Sequence, residues 1–207
     1  MLDTIKWLGH ASFMIEYAGK IIYIDPWEIN LSNPADIIFI THSHFDHFSP
    51  PDLAKIATQK TYIIAPAGCS GGIPDEAELI VVSPSDEKEI LGVKFKAVPA
   101  YNTSAQFHPK SNGWVGYLIK LGETVLYHPG DTDLIPEMSD LKVDIALLPI
   151  TPPYTMDAED AAEAAKRVKA KEVIPMHYGK IAGSEKDVEV LKNNLPENIK
   201  LTVLPLN

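Results

Sequence analysis

The sequence predicts an α/β fold made of two similar halves, two facing β-sheets with helices outside, and three observations predict it. Short runs rich in Ile and Val alternate with a few helical segments, without a linker or low-complexity stretch between them. Runs such as Ile37-Ile38-Phe39-Ile40 are apolar throughout, as strands covered on both faces are. The same plan also occurs twice. Ile21-Ile22-Tyr23-Ile24-Asp25-Pro26 leads to Ala35-Asp36-Ile37-Ile38-Phe39-Ile40, and Val125-Leu126-Tyr127-His128-Pro129-Gly130-Asp131 leads to Val143-Asp144-Ile145-Ala146-Leu147-Leu148. Each reads as a strand, an acidic loop and a buried strand, and a duplication of this kind brings the loops at one end of both sheets together.

Taken in order, Ile5 to Leu8, Ser12 to Tyr17 and Ile21 to Ile24 form a meander whose second turn is Ala18-Gly19-Lys20. Ile37 to Thr41 and Thr61 to Ala65 are buried strands. Between them Ser49 supplies an N-cap and Pro50 and Pro51 open a helix running to about Gln59. In the second half, Glu89 to Leu91 and Val93 to Val98 pair around Gly92, and Trp114 to Leu121 and Thr124 to His128 pair around Gly122. Ala146 to Ile150 is the next buried strand, followed by an alanine-rich helix over Asp157 to Lys169 and a strand over Val173 to Met176. A helix over Ser184 to Leu195 and a strand over Leu201 to Leu204 close the chain.

At 207 residues, 45% hydrophobic and 22% charged, the chain has the composition of one globular domain spanning 1–207. A net charge of -10 disfavours a broad polyanion-binding surface, and with it a general nuclease. No stretch of about 18 apolar residues and no signal-like N-terminus occurs, so neither a membrane nor secretion is expected. Cys69 is the single cysteine, lies in a Gly-rich turn and can form no intrachain disulfide, which points to a reducing, cytoplasmic setting.

The chemistry is concentrated in Thr41-His42-Ser43-His44-Phe45-Asp46-His47, directly after a buried strand. Imidazole nitrogen and carboxylate oxygen are ligands for zinc, iron or manganese, and a strand end facing a loop can hold an open site. Three of the seven histidines within six positions, beside an aspartate, make a polar loop rich in histidine by accident a poor account. Asp131 follows the strand ending at His128, His177 ends Val173 to Met176, and His108 lies in the loop after Tyr101-Asn102. Each alone reads as turn chemistry or a solvated side chain. Together with His42, His44, Asp46 and His47 they make seven side chains, enough for two adjacent metal shells.

The His42-x-His44-x-Asp46-His47 run, the Gly130-Asp131-Thr132 turn and the late Met176-His177-Tyr178 resemble, in order and spacing, the metallo-β-lactamase superfamily, and the likeness spans almost the whole chain. Leu8-Gly9-His10-Ala11-Ser12-Phe13 and Tyr23-x-Asp25-Pro26 are similar to its small cytosolic branch of ascorbate-6-phosphate lactonase-like and uncharacterised metal-dependent hydrolases. The resemblance implies a four-layer αβ/βα sandwich and two divalent metal ions, zinc first with manganese or iron as alternatives. It implies one ion held by His42, His44 and a third His, a second held by Asp46, His47 and His177, and Asp131 bridging. Relatives commonly place that third His after a Pro-Ala-x segment, where this chain has Asn102 after Pro99-Ala100-Tyr101. Either His108 swings in from its loop, or two histidines and Asp131 hold the first ion weakly; the nitrogen ligand is preferred.

The expected activity is hydrolysis of a small ester, lactone or phosphodiester by metal-activated hydroxide, because a divalent ion lowers the pKa of its water from about 15.7 towards 7. Asp46 is the expected catalytic residue, ligating the second ion and orienting the nucleophile. Asn102, Tyr154 and Tyr178 are expected to contact a small-molecule substrate, in a pocket shaped by the loops 27–34 and 102–112. His10, His128 and Asp25 are weighed as groups that orient ligands, against a role as packed polar residues. The alternative is a degenerate member that binds metal or ligand without hydrolysis. A homo-oligomer is left open, and an RNA substrate is a distant third reading.

Overall fold

The computed structural model describes residues 4–31, 33–103 and 107–207, in two units: one reaching Ser83 and including Leu204–Asn207, the other Pro84–Val203. The first unit is built on a six-stranded sheet. Its strands β1 (Ile5–Gly9), β2 (Ser12–Tyr17) and β3 (Lys20–Ile24) form the expected antiparallel meander. β4 (Ile37–Phe39), β5 (Tyr62–Pro66) and β6 (Glu78–Val82) then add in parallel. β4 is wholly buried, which explains its unbroken apolar sequence. Helix α1 (Pro50–Ile56) places Leu53 and Ile56 in one core cluster with Ile38, Ile40 and Ile63. Each such side chain taken from water contributes about 1.5–3 kcal/mol.

The second unit repeats the scheme. β8 (Val93–Pro99), β9 (Val115–Leu121) and β10 (Thr124–His128) are antiparallel, and β11 (Ile145–Pro149), β12 (Glu172–Met176) and β13 (Lys200–Leu201) follow in parallel. β7 (Glu87–Ile90) adds one antiparallel strand outside β8. Helix α2 (Ala158–Arg167) is capped by Asp157, which accepts from the Asp160 N–H, and turns five alanines inward. Helix α3 (Glu185–Asn194) starts with a capping box between Ser184 and Asp187.

The duplication extends to individual bonds. The Asp36 Oδ2 accepts from the Ile21 N–H at 2.8 Å, and the Asp36 N–H donates to the Ile21 carbonyl at 2.9 Å. Asp144 makes the same pair of bonds to Val125, at 2.8 and 2.9 Å. In each unit the aspartate clips the strand it precedes in parallel beside the last strand of the meander.

Several boundaries differ from expectation. Strand β6 was not anticipated; it lies at a sheet edge, half-exposed, with no alternation to signal it. α1 stops at Ile56 because Ala57 is extended and the Thr58 N–H turns to the Thr61 hydroxyl. Ser49 occupies the N-cap position, yet its hydroxyl donates to the Asp52 carboxylate instead of capping. The last strand ends at Leu201, not Leu204. Among the described residues, no helix is long and apolar enough to cross a membrane.

Candidate metal centre

In the first unit the site grows from Asp25, which follows β3 in the left-handed region at φ 43° and is fully buried. Its Oδ1 accepts from the Thr41 N–H at 2.8 Å, and its Oδ2 accepts from the Thr41 hydroxyl at 2.6 Å and from His47 Nδ1 at 2.8 Å. These bonds fix where protons sit. A carboxylate only accepts, so His47 carries its proton on Nδ1 and presents Nε2. Thr41 spends its single hydroxyl proton on Asp25, so its oxygen accepts from His42 Nδ1 at 3.0 Å, and His42 also presents Nε2. One buried carboxylate thus orients two imidazoles, one directly and one through a threonine.

The run after β4 folds back on itself: the His47 and Phe48 N–H groups both donate to the His44 carbonyl. This turn leaves His42 Nε2 3.1 Å from His44 Nδ1. Asp46 Oδ2 lies 4.0 Å from His47 Nε2 and 3.0 Å from His10 Nε2. His10, at φ 51°, is held by its carbonyl, which accepts from the Trp7 indole.

In the second unit three segments deliver one candidate each. Asp131 follows β10 through the Pro129-Gly130 turn, where the Gly130 N–H donates to His128 Nδ1 at 3.2 Å. Gly116 of β9 packs against this turn; a Cβ there would lie 2.7 Å from the Pro129 backbone. His177 follows β12 at φ 63°, its carbonyl accepting from the Thr151 hydroxyl. His108 is buried, with Nδ1 2.8 Å from the Asn102 side-chain oxygen. Its loop is tied to its surroundings on both sides of 104–106, which lie outside the described residues. Thr103 bonds Asp133, and Lys110 reaches Glu137 at 2.8 Å. Asp131 Oδ2 stands 3.3 Å from His108 Nε2 and 3.1 Å from His177 Nε2.

These spacings suit a metal. A tetrahedral shell with bonds of about 2.0–2.1 Å sets neighbouring donor atoms roughly 3.3–3.4 Å apart. The His42–His44, His108–Asp131 and His177–Asp131 separations of 3.1, 3.3 and 3.1 Å lie close to that edge length. All donors are nitrogen or carboxylate oxygen. The Cys69 thiol does not join them; burial, reinforced by the Asp25 charge, pushes it up to about 12. Strain marks the same positions. Of the eight non-glycine residues at positive φ among the described residues, His10, Asp25 and His177 are three, each costing on the order of 1 kcal/mol.

Of the expected substrate contacts, Asn102 is buried, with its amide donating to Asp133 and to the Tyr154 carbonyl. Tyr154 stacks edge-on against the exposed Phe107, with ring centroids 5.0 Å apart. Tyr178 is buried, and burial, then the Glu185 charge, raises its hydroxyl pKa. In the loop 27–34 Ser32 lies outside the described residues; the Glu28 and Ile29 N–H groups are held by Asp52. The roles of Thr41, Thr151, Asp133 and Gly116 were not foreseen. The adjacency of Thr41 to His42 was the one available signal.

The pattern of the Beta-lactamase superfamily domain matches residues 4–177. A UPF0173 metal-dependent hydrolase of Pyrobaculum aerophilum is 34% identical over 208 residues, covering 91% of this chain and 89% of its own. A crystal structure from Parabacteroides distasonis, assigned as a metal-dependent hydrolase, is 35% identical at a TM-score of 0.87, over 98% of this chain and 93% of that one. A Thermotoga maritima protein assigned as a Zn-dependent hydrolase of the metallo-β-lactamase superfamily shares the fold at 21% identity and a TM-score of 0.66, over 97% of both chains. The two mixed sheets and few helices described above match the α/β sandwich of these neighbours.

Proposed function

We propose that this chain, which belongs to the β-lactamase superfamily and is a metal-dependent hydrolase, cleaves a small ester, lactone or phosphodiester at a pair of divalent ions, zinc first. His42, His44 and His108 would hold one ion, Asp46, His47 and His177 the other, with Asp131 shared. The pairing follows the family pattern, and each unit's own geometry supports its share. The observation that carries the reading is Asp131, whose Oδ2 lies 3.3 and 3.1 Å from two imidazole nitrogens, a placement from which one carboxylate could serve two ions.

When bound, the ions supply Lewis acidity for the scissile carbonyl or phosphoryl oxygen and lower the pKa of water towards 7. The chain's part is to hold lone pairs ready. Asp25 and Thr41 keep the protons of His47 and His42 on Nδ1, so that no rearrangement is needed at Nε2. Asp46 has a carboxylate oxygen beside His10 and near His47, suited to ligating and to orienting a nucleophilic water. Tyr154 and Tyr178 are the proposed substrate contacts. With a single cysteine and no disulfide possible within the chain, the proposed setting is the cytosol.

The test is metal content by plasma mass spectrometry on protein purified without chelator or affinity metal, beside hydrolysis of p-nitrophenyl acetate, a simple lactone and bis(p-nitrophenyl) phosphate. Near two metals per chain, with turnover lost to chelator and restored by zinc, supports the reading. Turnover that persists in fully stripped protein overturns it.

A further inference from the structure

We infer that Asn102 is a positioning residue that fixes the ring proton of His108 on Nδ1 and so reserves Nε2 for metal. The inference rests on the proposed function, in which His108 is a ligand. The first step is the orientation of the amide. The Asn102 Nδ2 donates to Asp133 Oδ1 at 2.7 Å and to the Tyr154 carbonyl at 3.0 Å. A carbonyl accepts only, and so does an ionised carboxylate; turning the amide over would set its oxygen against both and forfeit both bonds. The Asp133 carboxylate is itself fastened, because its Oδ2 accepts from the Thr103 N–H at 2.7 Å and from the Thr103 hydroxyl at 2.9 Å. The network therefore sets which end of the amide faces His108.

The second step is the proton. Asn102 Oδ1 lies 2.8 Å from His108 Nδ1, and an oxygen acceptor at that distance requires Nδ1 to be the donor. A neutral imidazole carries one ring proton, so the lone pair is at Nε2, the atom facing Asp131 Oδ2. The two residues are joined a second time: the Asn102 N–H donates to the His108 carbonyl at 2.7 Å. Asn102 is 6% exposed and His108 2%, so water competes little for these bonds. Ligation through the Asn102 oxygen, which is bonded to His108, or substrate recognition through its amide protons, which are committed to Asp133 and Tyr154, is the less economical account.

The experiment uses the full chain labelled with ¹⁵N, with His108 assigned by comparison with His108→Gln. In metal-free protein, long-range ¹H–¹⁵N correlations read which ring nitrogen carries the proton. Zinc affinity is read in parallel by competition with a chromophoric chelator. The expected result is an Nδ1–H tautomer at His108 in the wild type, lost in Asn102→Leu, with zinc affinity at the weaker step reduced about 10–100-fold. The exchanged pair Asn102→Asp with Asp133→Asn keeps an acceptor facing His108 and a donor between the two side chains, gives up the bond to the Tyr154 carbonyl, and is expected to restore the tautomer and part of the affinity. An Nε2–H tautomer in the wild type overturns the inference. So does an Asn102→Leu protein that keeps both the tautomer and the affinity. Should Asn102→Leu fail to fold, the wild-type spectrum and the exchanged pair decide alone. A wild type that takes up no zinc removes the proposed function and this inference together, whereas zinc uptake indifferent to position 102 removes the inference only.

Discussion

In the first unit one aspartate at the end of β3 organises ligand candidates that all lie within His42 to His47; in the second, His108, Asp131 and His177 arrive on three separate segments and a neutral amide faces the imidazole. The scaffolds beneath are nearly the same, down to the paired bonds of Asp36 with Ile21 and of Asp144 with Val125. The difference teaches that a duplicated sheet fixes where loops can carry ligands, while the loops decide how many they carry and what orients them. A carboxylate backing His47 makes that imidazole a more basic ligand than an amide makes His108. Stepwise chelation is therefore expected to strip first the ion that depends on His108.

The largest effect is expected where the second unit's candidates meet. Asp131→Ala removes the oxygen shared by His108 and His177, and kcat/KM is expected to fall by roughly 10³ or more, with metal content dropping as well. A variant that keeps both metal content and turnover would show that the proximity of the two imidazoles to Asp131 is mere packing.

Asp25→Ala carries the comparison into the first unit. It leaves every candidate ligand in place yet removes the acceptor for His47 and for Thr41, and through Thr41 the proton order of His42. Zinc affinity is expected to fall about 10–100-fold. The loss should exceed that in Asn102→Leu, since two imidazoles depend on Asp25 and one on Asn102. The reverse order, in the same competition titration, would break the contrast between the units.

The same contrast governs what could be read in the sequence. The run His42 to His47 was legible because a backbone turn needs only local spacing to bring its side chains together. Asp131, His108 and His177 could be listed as candidates from their places at strand ends and in a loop, but separation along the chain says nothing of separation in space; family likeness supplied the pairing for Asp131 and His177, while His108 stands off the family position that Asn102 occupies. The orienting groups were less legible still. Asp133 and Thr151 look like ordinary loop residues, and nothing in a sequence reveals that Gly116 lies against Pro129. Strand β6 escaped because an edge strand needs no strict alternation, whereas β4 and β11, buried on both faces, could be read from composition alone. The duplication was visible as an order of elements; its bond-for-bond repetition was not.

Gly116→Ala probes that hidden contact. The added methyl must displace the Pro129 backbone, which it would approach to 2.7 Å, and with it the turn that leads to Asp131. A stability loss of about 1–3 kcal/mol is expected, together with weaker metal binding, measured by chemical denaturation and by zinc competition. Alanine accepted without either change would mean that the turn can move without consequence for Asp131.

The smallest effects concern the duplicated clip. Asp36→Ala and Asp144→Ala each leave a strand N–H without its carboxylate acceptor, and each is expected to cost about 1–3 kcal/mol. The Asp144 clip carries a pH dependence. The Lys171 ammonium, 2.7 Å away, and then the Val125 N–H hold the Asp144 carboxyl below the usual carboxylate range against the opposing effect of burial. A folded-state pKa below the unfolded value of about 3.9 gives stability that is present above that value and lost as pH falls through the folded one. The cost of Asp144→Ala, measured by urea unfolding, should accordingly be full at neutral pH and shrink below about pH 4. Lys171→Ala should remove only about 0–1 kcal/mol at low salt, because the lysine is 77% exposed, and should diminish the acid dependence of Asp144 while leaving its bond to Val125. An acid dependence unchanged by Lys171→Ala would assign it to the backbone N–H alone, and the two clips would then be equivalent in chemistry as well as in geometry.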